Sequence, residues 1–255
     1  MSYSEMRAQA REKLTGKWGK VAVMTLVFVI LSMILSALQK GIGNNVTSII
    51  LSIAVIIITV PISFGFTFSL YKIFKGEEVG YFDFLSLGLS NFKKAWGIAL
   101  HICLKLILPI LLFVIANVLI IVSGLAIYNI DVGNTLNTGM TSIIGLVSII
   151  LTFVSMVWLT IRSFYYVIAN FIAFDNLEIS SKEAVEKSQK LMKGNRAKYF
   201  VLMLTFIGWI FLGSLSLGIG FLWLIPYIQF AAFAFYKHIE SKEQETETKE
   251  TVEAQ

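Results

Sequence analysis

Acidic side chains are missing from every long apolar stretch of this 255-residue chain. The stretches cover residues 18–38, 49–71, 95–121, 141–168, 199–212 and 221–236, and none contains Asp or Glu. That absence excludes the carboxylate relay on which proton-coupled transporters depend. Cysteine occurs once, at Cys103 in the third stretch, so neither an intramolecular disulfide nor a cysteine pair for a metal is available. The two histidines, His101 and His238, belong to no H-E-x-x-H motif, and there is no glycine-rich phosphate loop. With no nucleophile–base pair and no metal cage, the chain is expected to be non-enzymatic and to carry no cofactor and no metal. Proline is nearly as scarce: Pro61, Pro109 and Pro226 each interrupt or end an apolar stretch.

Apolar surface is what the chain has in excess. Hydrophobic residues make up 56% of it and charged residues 15%, with a mean hydropathy of +0.77. A bilayer core about 30 Å thick is crossed by about 20 helical residues, and most of the stretches meet that length. They are continuously apolar rather than alternating, which excludes a transmembrane β-barrel. The expected fold is all-α: a polytopic transmembrane helical bundle of about six spans filling residues 1–240. Residues 241–255, rich in Glu, Thr and Lys, are expected to form a charged, disordered tail. The first stretch is longer than a signal-peptide core and lacks a convincing cleavage site, so it reads as a span.

The net charge of +5 is distributed by side. Basic residues crowd the N-terminal segment, the second and fourth loops and the C-terminal tail. The first and third loops carry little beyond Lys40 and Asp131, and residues 213–220 carry no charge. Lys and Arg are retained on the cytoplasmic side during insertion, which puts both termini, Lys193 and Ser241 inside and Asn134 outside. Six spans agree with that parity. Binding to nucleic acid is not needed to explain the positive charge.

Short amphipathic helices are expected beside the spans. Residues 179–193 combine capping-box spacing at Ser180 and Glu183 with an apolar stripe of Ala184, Val185, Ser188, Leu191 and Met192, stopped at Gly194. Ser2 and Glu5, followed by Met6, Ala10, Leu14 and Gly16, repeat the pattern. In the second loop Tyr81, Leu85, Leu89 and Phe92 form a greasier face. A threefold unit of short helix, aromatic-basic junction and two spans would account for all three. The helices have two readings, one lying in the membrane interface and the other docking a partner protein.

Three cations fall at membrane depth. His101 and Lys105 are one turn apart in the third stretch, and Arg162 lies in the fourth between Trp158 and Tyr166, whose rings could shield it. Without a carboxylate nearby, snorkelling, a water-filled cavity or an anionic ligand could satisfy them. The last reading makes His101, Lys105 and Arg162 a ligand-binding set for an anionic lipid or amphiphile.

The segments Ala10-Arg11-Glu12-Lys13-Leu14-Thr15-Gly16-Lys17-Trp18 and Phe206-Ile207-Gly208-Trp209, with the run from Gly218 through Trp223 to Pro226-Tyr227, carry a family likeness. In them, and in Ser188 and Met192, the chain resembles the bacterial integral membrane proteins of domain-of-unknown-function family 975. The resemblance implies a multi-pass protein of the bacterial cytoplasmic membrane and brings no activity with it. The function expected is binding of membrane lipids, anionic ones above all, or of a membrane-protein partner. The alternative is a transporter or permease-like protein for an anionic amphiphile.

Overall fold

Capping chemistry sets where the short helices begin. The Ser2 hydroxyl accepts the Glu5 N–H at 3.2 Å and the Glu5 carboxylate accepts the Ser2 N–H at 2.8 Å, opening α1 (Tyr3–Leu14). Gly16, at φ +76°, turns the chain into α2 (Trp18–Lys40). In the computed structural model, which describes residues 1–40, 46–129 and 135–253, there follow α3 (Val46–Lys75), α4 (Asp83–Ser90), α5 (Phe92–Lys105), α6 (Ile107–Asn129) and α7 (Thr135–Ser163). After them come α8 (Ala169–Asp175), α9 (Ser181–Met192), α10 (Arg196–Leu204), α11 (Ile207–Leu215) and α12 (Phe221–Glu253). No strand occurs among the described residues. Asp131 and Asn134, two residues of the third loop, lie outside them.

Among the described residues five helical segments can, by length and composition, cross a membrane: Trp18–Leu38, Ser48–Lys75, Ile107–Leu125, Gly139–Ser163 and Arg196–Leu215, the last made of α10 and α11. Two expected spans differ. The third stretch is not one helix, because Pro109 has no N–H for the Lys105 carbonyl and its ring crowds that oxygen. The helix breaks at Leu106, and the apolar crossing segment starts at Ile107. The sixth stretch becomes the first half of α12, whose apolar character Pro226, Tyr227, Gln229 and Lys237 dilute. That helix has every residue from 230 to 236 buried inside the protein. It also continues through Ser241 as far as Glu253, where a solvated tail was expected. Segment 241–253 has no Gly or Pro to stop it, and Glu243 pairs with Lys190 of α9 at 2.8 Å.

The chain divides into two compact units, Met1–Ala99 with Ile168–Gln255, and Leu100–Val167. The first has an aromatic core. Phe68 stacks on Phe174 with centroids 4.8 Å apart, Phe233 meets Tyr71 and Phe171 edge-on at 5.0 and 4.8 Å, and Phe74 meets Phe230 at 5.6 Å. These pairs bind α3, α8 and α12 to one another. On its other face α3 crosses α4 at backbone contact. A Cβ on Gly65 would strike the Phe84 carbonyl, and one on Gly88 would strike that of Pro61. Close approach therefore selects Phe84 and Gly88 as the buried face of α4, while Tyr81, Leu89 and Phe92 of the expected apolar face are exposed on the surface.

The α9 stripe is as expected. Ala184, Val185, Ser188, Leu191 and Met192 are all buried, against α8 and α12. Ser180 caps the helix through the Glu183 N–H, and Gly194, at φ +87°, follows it. Met6, Ala10 and Leu14 of α1 are likewise buried, with α1 packed on α12. Both stripes are covered by protein and not offered to lipid. In the second unit α6 and α7 pack along their length. Only residues 130–134 separate them, so they run antiparallel.

Candidate functional site

The three cations expected as a site all belong to the second unit. His101 and Lys105 sit in the last turns of α5, His101 half-buried and Lys105 exposed. Arg162 is half-buried in the last turn of α7. In an antiparallel pair the start of α6 and the end of α7 lie at the same end, so Lys105 and Arg162 flank the same end of the α6–α7 hairpin. The ring beneath Arg162 is that of Tyr165, 6.0 Å from the guanidinium carbon. Tyr166 does not take the expected i+4 place because the helix ends at Ser163 and the chain turns, with the Tyr165 N–H donating to the Arg162 carbonyl at 3.2 Å.

Two donors at this end are buried without a hydrogen-bond partner: Nε of Arg162 and the hydroxyl of Tyr166. A buried donor left unmatched costs about 1–3 kcal/mol, more when charged. Tyr166 was read from the sequence only as a shield for Arg162, and its hydroxyl is the additional polar group that the structure supplies.

The first unit holds an arrangement that the sequence reading missed. Asp175, the last residue of α8, accepts the Tyr71 hydroxyl at 2.7 Å, the Tyr236 hydroxyl at 2.9 Å and Nζ of Lys237 at 2.5 Å, with Nζ of Lys75 at 3.5 Å. Glu240 receives Nζ of Lys237 at 2.9 Å and lies 2.7 Å from the Tyr236 hydroxyl. Two carboxylates and two ammonium groups balance, and Lys237 also stands over the Tyr236 and Tyr71 rings. Burial alone would raise the Asp175 carboxyl, yet the hydrogen bonds from Lys237, Tyr71 and Tyr236 hold it below the usual carboxylate value. Burial would lower Lys237, and its bonds to Asp175 and Glu240 raise it instead. This chemistry is that of a clamp between α3, α8 and α12. The signal in the sequence was the Tyr-Lys pair closing two apolar stretches, at Tyr71-Lys72 and Tyr236-Lys237.

Among the described residues no three His, Cys, Asp or Glu side chains stand close enough to share a metal ion. The model of one family, described as a protein of unknown function (DUF975), matches residues 1–243. No curated protein and no solved structure matches the chain.

Proposed function

Because the chain belongs to the DUF975 family of proteins of unknown function, membership assigns it no activity, and we propose a reading from the geometry. This multi-pass membrane protein acts without catalysis, by holding the anionic group of a lipid or amphiphile at the end of the α6–α7 hairpin. Its setting is the bacterial cytoplasmic membrane with both termini inside, which the loop distribution of Lys and Arg supports. That placement requires the apolar half of α12 to cross as a sixth span, beside the five helical segments that cross by length and composition. The observation that carries the reading is the pair of buried, unpartnered donors, Nε of Arg162 and the Tyr166 hydroxyl. A phosphate or carboxylate accepting from both would remove their desolvation cost, with Lys105 adding charge from α5. His101 precedes Lys105 by one turn and completes the cationic set.

The test is lipid analysis of purified protein. Arg162→Gln and Lys105→Gln should lower the anionic lipid that co-purifies while the melting temperature in detergent is kept. Tyr166→Phe sharpens it. In lipid-free detergent this change should be neutral or stabilising, since it removes an unmatched hydroxyl, and it should shrink the stabilisation gained on adding anionic lipid. Unchanged lipid content in all three variants would sink the reading.

A further inference from the structure

Outside that hairpin, the first unit has a notch of about 310 Å³ where α1, the start of α10 and α12 meet. Its apolar lining is made by the buried Met6, Phe235 and Ile239. Its rim is basic, with Lys198 on α10 and His238 and Lys242 one turn apart on α12. We propose that this notch binds a phosphate group, presented by a lipid headgroup at the membrane surface.

The placement follows from the helices. Lys198 is the third residue of the apolar span Arg196–Leu215, so the rim lies at the level where that span leaves the bilayer. Headgroup phosphates are concentrated at that level, and basic pockets beside transmembrane helices are suited to them. The apolar lining matches the glycerol and upper acyl carbons below such a phosphate.

The charge balance points the same way. Lys198 gives one hydrogen bond, to Oδ1 of Asn195 at 3.0 Å, and an ammonium group has three donors. The Met1 nitrogen lies 3.0 Å from Nε2 of His238. The charges facing His238 are the Met1 nitrogen and Glu5 from the α1 side, Lys198 from α10 and Lys242 from its own helix. Glu5 is the one acid among them, and its carboxylate is turned onto the Ser2 N–H of its own cap. Burial first, then the Met1 nitrogen, Lys242 and Lys198, hold the His238 imidazole below its usual value. The positive neighbours add to the effect of burial, and an anion seated in the notch would oppose their share of it.

His238 is therefore the built-in reporter, with its NMR signal assigned by its loss in His238→Asn. Full-length protein is titrated in dodecyl maltoside, in the same detergent with inorganic phosphate, and in nanodiscs containing phosphatidic acid. The imidazole pKa is expected to rise by about one unit in the nanodiscs. A rise with lipid only assigns the site to a headgroup, and an equal rise with inorganic phosphate assigns it to the phosphate group alone. In Lys198→Gln/Lys242→Gln the rise should fall by more than half, whereas in Arg162→Gln it should persist. The last variant separates this notch from the hairpin site, so either can fail alone. No rise in any arm, or an undiminished rise in the double variant, which a general surface potential would give, overturns the proposal.

Discussion

Nε1 of Trp96 donates to the carbonyl oxygen of Ile57 at 3.1 Å, and Ile57 is the residue whose carbonyl Pro61 leaves without its helical partner. The proline opens the ladder of α3, and an indole from the start of α5 closes it. A gap in the ladder that would otherwise expose a backbone acceptor at membrane depth is thus closed by a neighbouring helix.

The first prediction is a thermodynamic cycle on that bond. Trp96→Phe should cost about 1 kcal/mol in detergent unfolding, the usual worth of one hydrogen bond. Pro61→Ala restores an N–H to the Ile57 carbonyl, so in that background Trp96→Phe should cost distinctly less. Equal costs in both backgrounds would show that the indole acts by packing alone.

The Asp175 clamp gives the second. Asp175→Asn keeps the shape but removes the charge that meets Lys237, Tyr71 and Tyr236, and should cost about 2 kcal/mol at neutral pH. The difference between wild type and variant should depend on pH at both ends. Asp175 is depressed in the folded state, so its contribution is present above the unfolded value of about 3.9 and is lost as pH falls through the folded one. Lys237 is raised, so its contribution is present below about 10.4 and is lost as pH rises through its folded value. Melting curves across pH should show a plateau between those limits, and a flat difference from acid to alkali would dismiss the clamp.

Gly88 supplies the third. Gly88→Leu drives a side chain into the Pro61 carbonyl, and the α3–α4 crossing should open with a loss of about 1–3 kcal/mol or more. Leu89→Ala, one residue on and exposed, should change the melting temperature little. A reversed order would show that α4 does not pack on α3 through Gly88.

A fourth prediction concerns orientation. After Cys103→Ser, cysteines placed at Lys193 and Ser241 should react with an impermeant maleimide only once the membrane is opened, and one at Asn134 should react beforehand. Lys193 and Ser241 reacting on opposite sides would overturn the common placement of the fourth loop and the C-terminal segment.

Local signals in the sequence carried furthest where they were self-contained. Ser2, Glu5 and Gly16 recur at identical mutual spacing as Ser180, Glu183 and Gly194, and caps, buried stripe and left-handed stop all agree with the helices formed. Helical class and most spans were legible for the same reason, since apolar runs are read one segment at a time. What failed was decided between segments. The buried face of α4 depends on the backbone of α3 passing against it, and a glycine contributes nothing to a hydrophobicity pattern. Asp175 belongs to a loop by sequence and to three helices in space, with Tyr71 and Tyr236 distant from it along the chain. The break after Lys105 was signalled by Pro109, but a proline can bend a helix or end it, and its neighbours decide which.

The burial of α12 has a consequence for how the protein is made. Phe230, Phe233 and Tyr236 complete the aromatic core, and they follow every other described helix in order of synthesis. While the ribosome is still adding residues, Tyr71, Phe74 and Phe171 have no α12 to pack against, and the Asp175 carboxylate has neither Lys237 nor Tyr236. The nascent first unit therefore waits, its inner ring surface and one acid unmatched, until its closing helix emerges. Chains released early would keep that inner ring surface uncovered and the acid without its Lys237 partner.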